Sequence, residues 1–205
     1  MSTSQQWYIN RIIGSVAEAA CRCHFEALGY KVEATGIEHI APAFAEITAC
    51  HPSDLGNYGA RTMALRVMPD FLISRAVGKV EAQLLEAKFR SEATFDELIA
   101  NDLFVKYQPI LDQGMNVLIY LVTHRYRMTA MDSWIDAQNG NGVFVHLCFF
   151  SKSRYADPAR YHTNGMISVG ASIFEKGLYL GTLHGANFNT VYAEIVRPAL
   201  KRVFG

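Results

Sequence analysis

Excess charge of either sign is absent from this chain: 19 lysines and arginines balance 19 aspartates and glutamates. No overall field therefore draws it onto nucleic acid or an anionic membrane, and any polyanion has to be gripped by a local patch. Cysteine is scarce. Cys21, Cys23, Cys50 and Cys148 show no disulfide-framework spacing and follow no charged-then-apolar leader, so a reduced cytoplasmic setting is expected. The longest apolar run, VLIYLV at 117 to 122, suits a strand and falls far short of the roughly 20 residues a membrane-spanning helix needs. A soluble protein without a membrane partner is expected. The five glycines between Gly165 and Gly185 form neither GxxxxGK[ST] nor GxGxxG after a strand, which argues against a phosphate-cradling loop.

What is present is one domain's worth of chain, 205 residues without internal repeat, low-complexity tract or linker. Ile12, Ile13, Val16, Ala20, Cys23 and Ala27 recur at helical spacing, and Gly29 stands where a C-cap belongs, which predicts an amphipathic helix over 12 to 28. YKVEA at 30 to 34 alternates as a strand does. Residues 36 to 62, with Pro42, HPSD, Gly56 and Gly59, read as an insertion rich in turns. Strands are expected at about 63 to 74 and 80 to 89, a helix at about 94 to 113 ended by Gly114, and a buried strand at 115 to 122. The core order is αβββαβ over about 10 to 122. VFVHLCFF at 143 to 150 and a closing helix at 190 to 203, interrupted at Pro198, extend the same domain through 123 to 205.

The chemistry concentrates in VMPDFLI and QLLEAKF. Strand side chains alternate faces, so Glu86 and Lys88 project together while Ala87 points the other way, and an antiparallel preceding strand brings Asp70 to their face. Each charge is embedded among apolar residues, where an unpaired ion is costly and a bound cation compensates it. Two carboxylates beside an ammonium, with the Ala87 carbonyl as a further ligand, make an oxygen-lined site suited to Mg²⁺. Such an ion neutralises a phosphodiester oxygen and lowers the pKa of a bound water, while Lys88 orients that water or stabilises developing charge. The expected chemistry is phosphodiester hydrolysis.

Pro69, Asp70, Glu86 and Lys88 match in order and type the Pro-Asp and Glu-X-Lys motif of the PD-(D/E)XK nuclease superfamily, which the sequence resembles over roughly 10 to 122. The opening stretch IGSVAEAACRCHFEALGYKV looks like the first helix of its Holliday-junction-resolvase branch, and MPDFLI with LLEAKF also looks like catalytic subunits of heteromeric transposases. The resemblance implies a restriction-endonuclease-like α/β core, a mixed central sheet flanked by helices. It gives Glu18 the place of a catalytic helix glutamate and makes Gln108 a candidate nucleic-acid contact, although the tyrosine usual four residues on is here Asp112. Glu18 also reads as a surface residue opposite the apolar stripe, paired with Arg22.

Other clusters are weaker. Cys21 and Cys23 point about 200° apart on a helix, too far for a shared zinc ion. His146 and Cys148 share a strand face with Phe144 and Phe150 and read as core. THRYR at 123 to 127 and SKSRYADPARYH at 151 to 162 interleave basic and aromatic residues, making Arg125, Arg127, Lys152 and Arg154 candidate DNA contacts. The combined expectation is a Mg²⁺-dependent endonuclease, with Mn²⁺ as substitute, acting on DNA as a homodimer or with a protein partner. The alternative is a non-catalytic or partner-dependent binding subunit that keeps the nuclease fold.

Overall fold

The computed structural model describes residues 3–36, 67–77, 79–94, 104–115, 117–127, 130–136, 143–150 and 190–204. In chain order these form α1 (Thr3–Ala27), β1 (Lys31–Ala34), β2 (Phe71–Val77), β3 (Lys79–Thr94), α2 (Phe104–Asp112), β4 (Val117–Arg127), β5 (Ile135–Asp136) and β6 (Phe144–Phe150). A π-helical turn (Tyr192–Val196) then runs into α3 (Arg197–Phe204). The αβββαβ order expected of the core is the order found among the described elements. Most of the 36 to 62 insertion, the glycine-rich 165 to 185 stretch, Lys152 and Arg154 lie outside the described residues.

Both expected glycine stops hold. Gly29 (φ 85°) and Gly114 (φ 79°) adopt the left-handed conformation that costs glycine least. Each closes its helix with a paired backbone motif: Gly29 N–H donates to Glu26 O and Tyr30 N–H to Phe25 O, as Gly114 donates to Leu111 O and Met115 to Ile110 O. The Tyr30 ring meets Phe25 edge to face at 5.9 Å, supplying the apolar contact that accompanies such caps.

Six described strands form one mixed sheet. β1, β2 and β3 run antiparallel in sequence order, β3 and β4 are parallel, and β4 pairs antiparallel with β5 and with β6. The parallel register sets Leu84 against Val117, Glu86 against Ile119 and Lys88 against Leu121. Side-chain alternation therefore gives this sheet two different faces. One, with Phe71, Ile73, Leu85, Leu118 and Tyr120, packs against α1 and α3; the other, with Val117, Ile119 and Leu121, packs against Tyr107, Ile110 and Leu111 of α2. The carboxylate of Glu86 is on the α2 face.

Several boundaries differ from expectation. Among the described residues β2 starts at Phe71: 67 to 70 precede the ladder, Pro69 having no N–H to give it, and 63 to 66 lie outside the described residues. β3 and β4 are longer than expected, since their parallel pairing continues to Thr94 against Arg127. The THRYR segment is thus the end of a strand, and any helix after β3 starts beyond Thr94. The closing helix also continues through Pro198. Arg197 N–H reaches back to Tyr192 O, and this wider turn accommodates a residue that lacks an N–H and crowds the preceding turn.

The stripe that buries α1 is not the expected one. Ala17, Cys21, His24, Phe25 and Leu28 meet the sheet, while Ile12 is 66 % exposed. α1 carries two apolar stripes, and periodicity alone does not choose between them. The sheet takes the one holding Phe25, the larger apolar payload. His24 Nδ1 lies 3.1 Å from Tyr120 Oη, fixing the helix over the sheet centre. Ile12, Val16, Ala20 and Cys23 instead line a groove between α1 and α3. Among the described residues no helix is long and apolar enough to cross a membrane.

Candidate active site

Asp70 is held from three sides. Its carbonyl accepts the N–H groups of Thr35 (2.8 Å) and Gly36 (3.3 Å) just past β1, while the Thr35 hydroxyl donates to Pro69 O at 2.7 Å. Its own N–H donates to Glu86 Oε2 at 3.2 Å, and its Oδ2 accepts the Ala87 N–H at 2.8 Å. The antiparallel register, with Phe71 opposite Leu85, sets Asp70 opposite Glu86 one step further on. The Pro-Asp corner thus ends the β2 ladder and turns its donors and acceptors onto β1 and β3.

Glu86 is fully buried. Its Oε1 meets two ammonium groups, Lys88 from the same strand and Lys106 from α2, the latter at 2.8 Å. Burial raises the Glu86 pKa, but Lys88 and Lys106 outweigh it, and the carboxyl lies below its ordinary value. Asp70 goes the other way: burial first, then the Glu86 charge, push it up to about 7 against the opposing Lys88 charge and Ala87 N–H. Burial works against the Lys88 ammonium, yet Glu86 and Asp70 prevail and raise its pKa. Lys88 is therefore a cation at neutral pH, a donor to negative charge and not a proton acceptor.

Glu18 lies one heptad before Phe25 and so at the border of the buried stripe, half-buried, not opposite it. Its charge contributes to raising Asp70. The Cys21 thiol, pushed up by burial and then by Asp70, Glu18 and Glu86, also borders the carboxylates. Arg22, the expected partner of Glu18, donates to Glu26 at 2.9 Å.

The other candidate residues take different places. Ala87 enters through its N–H, a role the sequence reading did not assign. Gln108 is exposed, with its amide 3.4 Å from both carboxylate oxygens of Asp112; on a helix it points about 200° from Lys106. Arg125 pairs with Glu92, and Arg127 donates to Thr94 Oγ1 (3.1 Å) and Ala130 O (2.8 Å). Both guanidinium groups lie over the Trp134 ring, at 4.8 and 4.5 Å. His146 is core, as expected, with Nε2 3.0 Å from Thr123 Oγ1. Lys106 was not foreseen. Its signal was the spacing to Ile110, one turn on along the apolar side of α2, which turns a cation toward the sheet.

Among the described residues no group of three or more His, Cys, Asp or Glu side chains is placed to hold a metal ion. The donors nevertheless fit Mg²⁺, which is commonly bound through one or two carboxylates, several waters and substrate oxygens. Asp70 and Glu86 face each other on adjacent strands, and cationic ammonium groups already compensate the buried charge there. No protein-family model, curated protein or solved structure matches this chain.

Proposed function

We propose that this chain is a Mg²⁺-dependent endonuclease that hydrolyses DNA phosphodiester bonds on a restriction-endonuclease-like core. The observation that carries this reading is the juxtaposition of Asp70 and Glu86 across the β2–β3 pair, beside the ammonium of Lys88. The αβββαβ order and the parallel β3–β4 pair support it. Mg²⁺ bound there supplies charge neutralisation at a phosphodiester oxygen and a water of lowered pKa. Asp70 and Glu86 hold it, the Ala87 carbonyl and Glu18 assist, and Lys88 donates to the charge that develops on phosphorus oxygens.

A second reading is favoured by one specific feature. Lys88 and Lys106 already satisfy Glu86 without any metal, as a structural ion-pair cluster in a non-catalytic binding subunit does. A panel of end-labelled duplex, single-stranded and branched DNA, incubated with Mg²⁺ or Mn²⁺, separates the two. The nuclease reading expects cleavage that Asp70→Asn and Glu86→Gln abolish while the fold persists. Metal-independent binding without cleavage on every structure would favour the subunit.

A further inference from the structure

The two lysines at Glu86 are not equivalent. Glu86 Oε2 accepts the Asp70 N–H, and Oε1 is shared by both ammonium groups. A carboxylate oxygen offers two acceptor sites, so Oε1 is saturated, and a cation can take it only if one ammonium leaves. Lys88 interacts favourably with both carboxylates, Glu86 and Asp70. Lys88 stands two residues from Glu86 on the same strand, whereas Lys106 reaches Oε1 from α2. It also has somewhere to go: its side chain is 32 % exposed and reaches from a different element, α2, with its ammonium 4.8 Å from the centre of the Tyr107 ring.

We propose that Lys106 is a positioning residue that latches the cation site: it occupies Glu86 Oε1 in the metal-free chain and turns to a substrate phosphate once a divalent ion takes that oxygen. This rests on the metal-dependent reading above. Charge balance argues for the second half. Asp70, Glu86 and Glu18 face two ammonium groups, so a divalent ion leaves the site with an excess of about one positive charge, which the phosphodiester backbone offsets. The latch makes metal and nucleic acid bind cooperatively, each raising the affinity of the other by the same factor. It also keeps the buried Glu86 charge compensated between turnovers.

The test is a calorimetric titration of Mn²⁺ into the full chain, alone and with a nuclease-resistant phosphorothioate duplex. Wild type is expected to bind Mn²⁺ weakly alone and about tenfold more tightly with the duplex. Lys106→Met, which keeps the stem and loses the competing charge, is expected to bind Mn²⁺ about five- to tenfold more tightly alone and to gain little from the duplex. Equal or weaker Mn²⁺ binding by Lys106→Met overturns the latch and leaves the metal site standing; no Mn²⁺ binding by either chain overturns the metal reading beneath it. A second measurement needs no variant: Mg²⁺ should shift the Lys106 Cε–H resonances of the wild-type chain more than those of Lys88. Unmoved Lys106 signals at saturating Mg²⁺ overturn the latch.

Discussion

The N–H of Asp70 donates to Glu86 Oε2 at 3.2 Å, so two carboxylates with opposite titration behaviour are held together by the backbone of one of them. Asp70 is raised to about 7 and Glu86 is lowered from 4.5. A raised acid contributes stability that is complete below its unfolded value of 3.8 and is lost as pH rises through about 7. Glu86 behaves oppositely: its contribution is present above 4.5 and lost as pH falls through its lower folded value. Asp70→Asn should therefore be the more stable chain at about pH 8, by on the order of 1 kcal/mol, and the gain should vanish toward about pH 4. Glu86→Gln should lose about 1 to 3 kcal/mol near neutrality, because two ammonium groups lose their charge partner. Urea unfolding across pH measures both, and an Asp70→Asn chain less stable than wild type at about pH 8 would refute the cost of a charged Asp70 buried beside Glu86.

A divalent ion at the pair should expel the Asp70 proton. With Asp70 near 7, Mg²⁺ binding at about pH 7 should release about half a proton, and close to none at about pH 9. Calorimetry in buffers of different ionisation enthalpy reads this directly. Release that persists unchanged in Asp70→Asn would assign the proton to another group.

The sequence was most legible where backbone geometry is local. Gly29 and Gly114 marked their helix ends because a left-handed residue is a local demand, and Glu86 and Lys88 shared a face because strand alternation is fixed. Asp70 could be placed beside them once β2 and β3 were taken as a hairpin. Tertiary choices were less visible. Nothing in the period of α1 says that Phe25, not Ile12, meets the sheet, or that Glu18 borders the buried side. Lys106 comes from a different element, and only the docking of α2 brings it to Glu86. The length of β3 and β4 was hidden because SEAT and THRYR, polar in sequence, pair with each other rather than with water.

Lys88 is held as an ammonium, so its loss should remove stabilisation of developing charge and not a base. Lys88→Met is expected to lower the single-turnover cleavage rate by about 10² to 10³, without weakening Mn²⁺ binding, and to move the acid limb of the pH profile upward, because the Lys88 charge opposes the rise of Asp70. Loss of metal affinity along with the rate would make Lys88 a structural partner of Glu86 instead.

Arg125 and Arg127 test how a chain with balanced charge holds a polyanion. Both flank Tyr126, whose ring packs with Phe144 and His146 in the cluster of Ile119 and Leu121, so near its end β4 turns Arg125 and Arg127 to the face opposite Glu86 and Lys88. The two arginines differ in what neutralises them: Arg125 is paired with the Glu92 carboxylate, whereas the described hydrogen-bond partners of Arg127 are the uncharged Thr94 and Ala130. Among the described residues a phosphate has to compete with the Glu92 carboxylate for Arg125 and with uncharged acceptors for Arg127. Each phosphate contact on duplex DNA contributes about 0.9 to the slope of log affinity against log salt. Arg127→Gln should therefore flatten the slope by close to that amount and Arg125→Gln by less, with Lys152→Gln and Arg154→Gln adding to either. Binding of one duplex measured over a salt series at fixed Ca²⁺ gives the slopes. A slope unchanged when all four charges are removed would put the DNA path on another surface of the protein.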